Sequence, residues 1–187
     1  MSSPRVVVIS GPSGVGKSTL IRDLVDQGAR LAVSATTRDA RDGETNGVDY
    51  HFVDRDRFIA MRDAGELLEW AEVHGRLYGT PGSEVAADSG DEDVVLLDID
   101  VHGYRSIRAL GIDVLGVFIA PPSMDELIRR LQERKSESEA ARTVRLENAA
   151  TEMAARHEYD HIVVNDDVDQ AKKQLRELVL IRNGSAT

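Results

Sequence analysis

Cysteine is absent from this chain of 187 residues, which excludes disulfide bonds and thiolate metal sites. No apolar run approaches the length of a membrane-spanning helix, and the first residues lack the apolar core of a signal peptide. We therefore expect a cytoplasmic protein without a membrane partner. The net charge of −10 argues against broad contact with nucleic acid or an anionic membrane. A small anionic ligand is still compatible, because local clusters of charge govern such a site.

Lysine is also scarce, and its placement is informative. Of the four lysines, Lys17 alone falls within the first 134 residues. It stands in Gly11–Thr19, which matches the phosphate-binding pattern G-x-x-x-x-G-K-[ST]. The apolar run Val6–Ile9 precedes this loop, and apolar residues at helical spacing follow it, as a strand–loop–helix context requires. The alternative is a glycine turn that matches the pattern by coincidence.

The pattern predicts how the phosphates of a nucleotide are bound. Glycines let backbone N–H groups point at an anion, and the following helix directs its positive end at the same phosphates. Lys17 is expected to reach the β- and γ-phosphates, and the Ser18 hydroxyl to coordinate Mg²⁺. Two other motifs are excluded, because Val15 breaks G-x-S-x-G and Thr19 breaks the dinucleotide fingerprint. The expected nucleotide-binding residues in the loop are Ser13, Gly14, Val15, Gly16, Lys17, Ser18 and Thr19.

Short runs of β-type residues alternate with helical stretches, which predicts a parallel sheet wrapped by helices. Val94–Leu97 and Val114–Ile119 lack polar alternation, as strands covered on both faces do. The predicted strands are Arg5–Ser10, Leu31–Ala35, Val94–Ile99, Val114–Ile119 and His161–Val164. Helices are expected to begin near Lys17, Val101, Ser123, Glu139 and Val168.

Residues 36–88 interrupt this alternation, because glycines punctuate short segments there. Tyr50–Val53 and Leu67–Val73 are predicted strands, a helix is expected near 54–64, and Gly75 suits a hairpin turn. We interpret 36–88 as an inserted antiparallel lobe, and residues 1–35 with 89–187 as the core. A polar stretch at 132–142 is either solvated surface or part of a mobile lid.

Several further segments follow the phosphate-binding loop in a characteristic order. They are Val33–Arg38 with Arg41, Gly47–Phe52, Glu69–Val73 with Tyr78–Thr80, Leu97–Asp100, Arg130–Arg134 with Arg145, and Val164–Asp167. In this combination the chain resembles the guanylate kinase family along nearly its whole length. The resemblance implies an α/β fold with a P-loop NTPase-type parallel core flanked by helices, an inserted mixed or antiparallel GMP-binding lobe, and a helical lid at about 130–145. It also implies the reaction ATP + GMP → ADP + GDP with Mg²⁺, and dGMP as a further acceptor.

The resemblance also implies roles for single residues. The implied catalytic residues are Lys17, Arg38, Arg134 and Arg145. Arg130 and Asn165 are implied to join the ATP site, and Ser18 and Asp98 to bind the metal, Asp98 through water. The implied GMP-binding residues are Ser34, Arg38, Arg41, Tyr50, Glu69, Tyr78, Thr80 and Asp100.

These residue types suit the chemistry of that reaction. The acceptor phosphate needs forked donors, which Arg38 and Arg41 provide. A carboxylate at Glu69 can accept from both N1–H and N2–H of guanine, whereas adenine would present an unpaired N1 lone pair to it. Arg130 and Arg134 share a helix face and are expected to close over the γ-phosphate, where they neutralise developing charge.

Simpler interpretations of the same residues stay open at this point. Glu69 alone is typical of an exposed strand carboxylate, and Asp98 of a cap on the following turn. The lid arginines could equally pair with neighbouring glutamates on a helix surface. Departures from the family pattern fall at Ala40, Asp42, Gly82, Val101–His102 and Lys135–Glu137, and none removes a residue needed for the chemistry.

Other function classes are also compatible with part of the pattern. One is a related small kinase for sugar phosphates, which should lack the guanine-binding residues. Another is an inactive guanylate-kinase-like module that binds proteins, which should have a damaged phosphate-binding loop. A regulatory nucleotide-binding protein is the third. The five histidines show no metal-ligand spacing, so no zinc site is expected.

Overall fold

The computed structural model describes residues 5–73, 75–86, 94–132 and 139–180, and it confirms the predicted α/β fold. In chain order the elements are β1 (Arg5–Ser10), α1 (Lys17–Asp26), β2 (Arg30–Leu31), β3 (Ala35–Thr36), β4 (His51–Phe52), α2 (Arg55–Asp63), β5 (Leu67–Val73), β6 (Arg76–Pro81), α3 (Gly82–Ala86), β7 (Val94–Asp98), α4 (Val101–Ala109), β8 (Val114–Ala120), α5 (Met124–Gln132), α6 (Glu139–Ala154), β9 (His161–Val164) and α7 (Val168–Val179). Within the described ranges, no helix combines the length and apolarity that crossing a membrane requires.

Five parallel strands form the core sheet, in the order β2-β7-β1-β8-β9. The central strand β1 is apolar on both faces, because Val6 and Val8 pack into one buried cluster while Val7 and Ile9 pack into another. Because helices cover both faces of the sheet, the middle residues of β1 are apolar on both of its faces. The carboxyl ends of β1 and β7 lie side by side, and the loops that follow them are therefore neighbours at one edge of the sheet.

A second sheet of four strands, in the order β4-β3-β6-β5, forms the inserted lobe. Its pairing is mixed rather than antiparallel throughout, since β3 lies parallel to β4 but antiparallel to β6. The hairpin between β5 and β6 turns at Gly75, which has a φ of +75°. Sequence analysis misses β6, because Gly79 and Pro81 are both unfavourable strand residues.

The predicted single strand Leu31–Ala35 is wrong. Arg30–Leu31 pairs with β7 in the core sheet, whereas Ala35–Thr36 pairs with β4 and β6 in the second sheet. The chain crosses between the two sheets within this apolar run, and only long-range pairing reveals the crossing. The predicted division of the chain at residues 36 and 88 stays a prediction. Ala35, just before the first boundary, already pairs within the second sheet.

Helices α5 and α6 pack against each other through the buried side chains of Leu127, Leu131 and Ala149. Helix α5 begins at Met124, one residue after the predicted start, because the Ser123 hydroxyl oxygen accepts from the Glu126 N–H at 3.1 Å and caps the helix. Of the polar stretch at 132–142, residues 133–138 lie outside the described ranges. The described part of the predicted lid is therefore a packed pair of helices.

Candidate functional site

A cleft of about 510 Å³ opens at the carboxyl edge of the core sheet, where the phosphate-binding loop faces the second sheet. The fold thus brings together residues that lie far apart in the chain. Val15, Thr80 and Asn165 are buried behind the lining of the cleft. The predicted site residues that line it are Ser13, Gly14, Gly16, Lys17, Ser18, Thr19, Ser34, Tyr50, Glu69, Tyr78, Asp98 and Asp100.

The loop between β1 and α1 has the backbone shape that anion binding needs. Gly16 has a φ of +97°, and a Cβ there would lie 2.4 Å from the side-chain nitrogen of Asn165. That nitrogen donates to the carbonyl oxygen of Val15 at 2.7 Å. The end of β9 therefore holds the loop in place through Asn165. The predicted contact between Asn165 and adenine stays a prediction.

Lys17 and Asp98 lie at the floor of the cleft. The Lys17 Nζ donates to the carbonyl oxygen of Gly11 at 2.5 Å. The Asp98 side chain is exposed to the cleft. Desolvation by the surrounding protein raises the pKa of Asp98, while the charge of Lys17 acts to lower it. Helix α4 is capped by Asp100, whose carboxylate accepts from the Gly103 N–H at 2.8 Å. Asp98 is thus not the cap of this turn, and its carboxylate faces the ligand space.

Glu69 lies inside the protein and not on an exposed strand face, with only 7% of its surface exposed. The Thr80 hydroxyl donates to Glu69 Oε1 at 2.6 Å. The other oxygen approaches α4 closely, since a Cβ on Gly103 would lie 2.8 Å from Oε2. Desolvation raises the pKa of Glu69, the hydrogen bond from Thr80 opposes this rise, and the charge of Asp100 adds to it. The exposed-carboxylate interpretation is therefore wrong.

Arg38 is held in the inserted lobe, which is the predicted acceptor lobe, by a bidentate ion pair. Its Nη1 and Nη2 donate to the Glu44 carboxylate at 2.8 and 2.9 Å. The hydrogen bonds from Arg38 and from the backbone of Arg41 hold the pKa of Glu44 at about 2. The guanidinium also lies 5.3 Å from the ring centre of Tyr50, and the Tyr50 ring packs edge-on against Tyr78 at 6.1 Å. Arg41 is on the exposed surface of the same loop.

The lid arginines differ in their positions. Arg145 on α6 reaches the phosphate-binding loop, where its Nη1 donates to the Ser13 hydroxyl oxygen at 3.2 Å. Arg130 on α5 instead donates to Glu126 at 2.8 Å and to the carbonyl oxygen of Asn165 at 3.1 Å. The glutamate-pairing alternative thus describes Arg130 in this conformation. Arg134 lies outside the described residues.

Sequence analysis misses Glu152, which lines the same cleft. Glu152 follows Arg145 by seven residues on α6, so the two side chains occupy one face of the helix. Burial raises the pKa of Glu152 to about 7, with Lys17 lowering it and Asp100 raising it. The helical spacing from Arg145 is the signal that could have identified this residue.

The same fold and segments occur in known proteins. A sequence model of the family described as guanylate kinase matches residues 3–181. A protein named guanylate kinase from Synechococcus sp. (strain CC9902) is 49% identical over 91% of this chain and 92% of its own length. A second protein named guanylate kinase, from Nocardia farcinica, is 47% identical over 96% of this chain and 95% of its own length.

Solved structures share the fold of this chain. The crystal structure of guanylate kinase from Anaplasma phagocytophilum superposes with a TM-score of 0.74 at 34% identity, covering 95% of this chain and 85% of that one. TT1252 from Thermus thermophilus shares the fold at 16% identity and a TM-score of 0.56, over 95% of this chain and 96% of its own.

Proposed function

This chain belongs to the guanylate kinase family, and from that premise we propose how its residues carry out ATP-dependent phosphorylation of GMP to GDP. The observation that carries the proposal is the arrangement of one cleft. An anion-binding loop with Lys17 forms one end, and the buried carboxylate of Glu69 lies on the facing lobe. Two nucleotides bound in this way would meet with their phosphates in line.

The donor half of the site is the loop Gly11–Thr19 with Lys17. Its backbone N–H groups and the N-terminus of α1 would surround the β-phosphate of ATP. The Lys17 ammonium would leave the carbonyl of Gly11 and bind the β- and γ-phosphates, because a phosphate is the stronger acceptor. Arg145 already touches this loop at Ser13, from which it would reach the γ-phosphate.

The acceptor half comes from the second sheet. Glu69 would accept from guanine N1–H and N2–H, with Ser34 and Thr80 near O6 and Asp100 beside the 2-amino group. Arg38 would bind the GMP phosphate together with Tyr50, which lies beside its guanidinium, and Tyr78, which packs against Tyr50. The acceptor oxygen of GMP is ionised near neutral pH, so the site needs no strong general base.

The residues present suit Mg²⁺ bound with the nucleotide. Among the described residues, no group of three or more histidine, aspartate or glutamate side chains is placed to hold a metal on its own. Mg²⁺ does not need such a group, because it keeps several waters and binds through one or two protein oxygens plus substrate phosphates. The Ser18 hydroxyl and, through water, the Asp98 carboxylate would supply those oxygens. When bound, the metal would neutralise negative charge on the transferring phosphates.

Transfer then depends on cations that converge on the phosphates. Lys17 and Arg145 come from the core and the lid, and Arg38 from the acceptor lobe. Arg130 would first have to leave Glu126 and Asn165, which closure of the lid over ATP would accomplish. The role of Arg134, dGMP as a second acceptor and the cytoplasmic location stay predictions.

A substrate panel tests this proposal. ADP release is measured with GMP, dGMP, AMP, UMP and ribose 5-phosphate as acceptors and ATP–Mg²⁺ as donor. GMP should be preferred over AMP by several orders of magnitude, because AMP leaves the buried Glu69 unpaired. A preference for ribose 5-phosphate would favour the sugar-phosphate kinase. Absence of any turnover would favour the inactive protein-binding module, against which the intact geometry of the phosphate-binding loop argues.

A further inference from the structure

Glu84 occupies the point where the chain passes between the two sheets. The chain leaves the core sheet after β2, enters the second sheet at β3, and begins its return through α3. Glu84 lies on α3, and it contacts residues from both sheets. It does not line the substrate cleft.

The contacts of Glu84 join three separate segments. Its Oε2 accepts from the backbone N–H of Val33 at 3.0 Å, and its Oε1 lies 3.0 Å from Nε2 of His51. Its own carbonyl oxygen accepts from Arg30 Nη1 at 2.7 Å, which ties the segment to β2 of the core. About one fifth of the side chain, 19%, is exposed. These contacts therefore form a partly buried junction between the core and the acceptor lobe.

The charge state of the junction follows from its contacts. Burial acts to raise the pKa of Glu84, but the hydrogen bonds from His51 and Val33 and the charge of Arg30 outweigh burial and lower it. Glu84 is thus ionised near neutral pH and has no proton to give. His51 Nε2 must therefore carry the proton and donate it.

Both partners of this carboxylate adjoin residues of the acceptor site. Val33 directly precedes Ser34, and His51 directly follows Tyr50. Ser34 and Tyr50 both line the cleft. The two segments are also joined to each other, since the His51 N–H donates to the Ser34 carbonyl oxygen at 2.9 Å. A shift of Glu84 would therefore move both segments at once.

We propose that Glu84 is a positioning residue for the acceptor nucleotide: it fixes Ser34 and Tyr50 relative to each other and to the core through Val33, His51 and Arg30. This role depends on the proposed function, because the proposed function assigns GMP to the cleft that Ser34 and Tyr50 line. Glu84 itself does not touch the substrate. Its replacement should therefore weaken GMP binding while ATP binding, which uses the other half of the cleft, stays unchanged.

Two substitutions separate the hydrogen bonds of Glu84 from its charge. Glu84→Ala removes both side-chain bonds, and we expect it to raise the KM for GMP about tenfold, because small misplacements of binding groups weaken binding strongly. Glu84→Gln keeps an oxygen for Val33, and its amide can donate to His51 once that ring changes tautomer. The glutamine variant should therefore retain a KM for GMP close to that of the wild type. The KM for ATP should be unchanged in both.

A matched control is available in the same lobe. Glu66 pairs with Arg57 at 3.0 Å on the exposed surface, and Glu66→Ala should leave both KM values unchanged. Isothermal titration calorimetry with GMP alone measures GMP binding without ATP. The dissociation constant measured in this way should rise in Glu84→Ala by the same factor as the KM.

The outcomes of this experiment are distinct. An unchanged KM for GMP in Glu84→Ala, or equal increases for GMP and ATP, would overturn the proposal. If Glu84→Ala shows no cooperative thermal transition, His51→Ala replaces it, since it removes one of the two bonds. This second variant should raise the KM for GMP less than tenfold, and no increase would overturn the proposal. Failure of the wild-type protein to phosphorylate GMP would instead contradict the proposed function.

Discussion

Replacing Glu69 by glutamine gives the sharpest test of how this cleft selects its base. Glu69→Gln preserves the size of the side chain but changes one acceptor oxygen into a donor nitrogen. Guanine presents two donors, N1–H and N2–H, so one hydrogen bond is lost and two donors face each other. A hydrogen bond to a charged group contributes about 1.5–3 kcal/mol, and with two bonds affected kcat/KM for GMP should fall about 10²- to 10⁴-fold.

The same substitution should not destabilise the fold. The pKa of Glu69 is raised above its ordinary value of 4.5, so the folded protein holds this proton more firmly than the unfolded chain does. Stability from this group therefore decreases as the pH rises from 4.5 through the raised pKa, and it stays low above that value. A neutral amide removes the burial penalty, and it still accepts from the Thr80 hydroxyl. The thermal midpoint at neutral pH should be equal to that of the wild type or higher.

The assay combines steady-state kinetics with thermal unfolding. ADP release is followed at varied GMP and at varied AMP, and both proteins are melted in the same buffer. Glu72→Gln is the matched control, because Glu72 lies on the same strand, is exposed, and pairs only at 3.9 Å with Arg55. Wild-type kcat/KM for GMP in Glu69→Gln, or a loss of activity that arises only from unfolding, would refute this account of base selection.

Three further substitutions test other parts of the protein. Lys17→Ala should lower kcat by at least about 10²-fold, by loss of charge stabilisation at the phosphates, with little change in the thermal midpoint; normal turnover would show that the donor site is misassigned. Arg38→Lys keeps the charge but loses the fork that pairs with Glu44, so the KM for GMP should rise about tenfold while the KM for ATP stays constant in the same assay. Asp23 pairs with Arg176 between α1 and α7, and this partner lowers its pKa below the ordinary 3.8. Asp23→Asn should therefore reduce stability at neutral pH, and urea unfolding should show the difference shrinking as the pH falls through 3.8 and below; a constant difference would contradict this.

Some features of the fold are predictable because they depend on local sequence. The bounds of β1, β5 and β9 agree with the prediction, since β1 and β9 are runs of valine and isoleucine and β5 lies between the turn glycines Gly65 and Gly75. The loop Gly11–Thr19 is equally local, because its glycines, lysine and hydroxyl stand at fixed spacing. The chemistry of the donor half therefore follows from the order of residues in one short segment.

Other features depend on partners that are distant in the chain. The burial of Glu69 could not be inferred from its strand, because a single strand glutamate is more often exposed. Its burial follows from Thr80 on β6 and from the approach of α4. Glu152 joins the cleft only because the fold brings α6 to the cleft that Lys17 also lines. The pairing of Arg38 with Glu44 is also invisible in the sequence, where both residues are typical of a solvated loop.

The sequence by itself predicted a nucleotide phosphate site after β1 from the spacing of one motif, and its resemblance to the guanylate kinase family implied which residues face a guanine nucleotide. The tertiary structure alone decided that the run after residue 30 divides between two sheets and that Glu84 joins the crossing segments. The physical reason is that strand pairing and side-chain burial are set by contacts across the fold. Neighbouring residues in the chain determine whether a segment is extended or helical. Residues many positions away determine which sheet an extended segment joins.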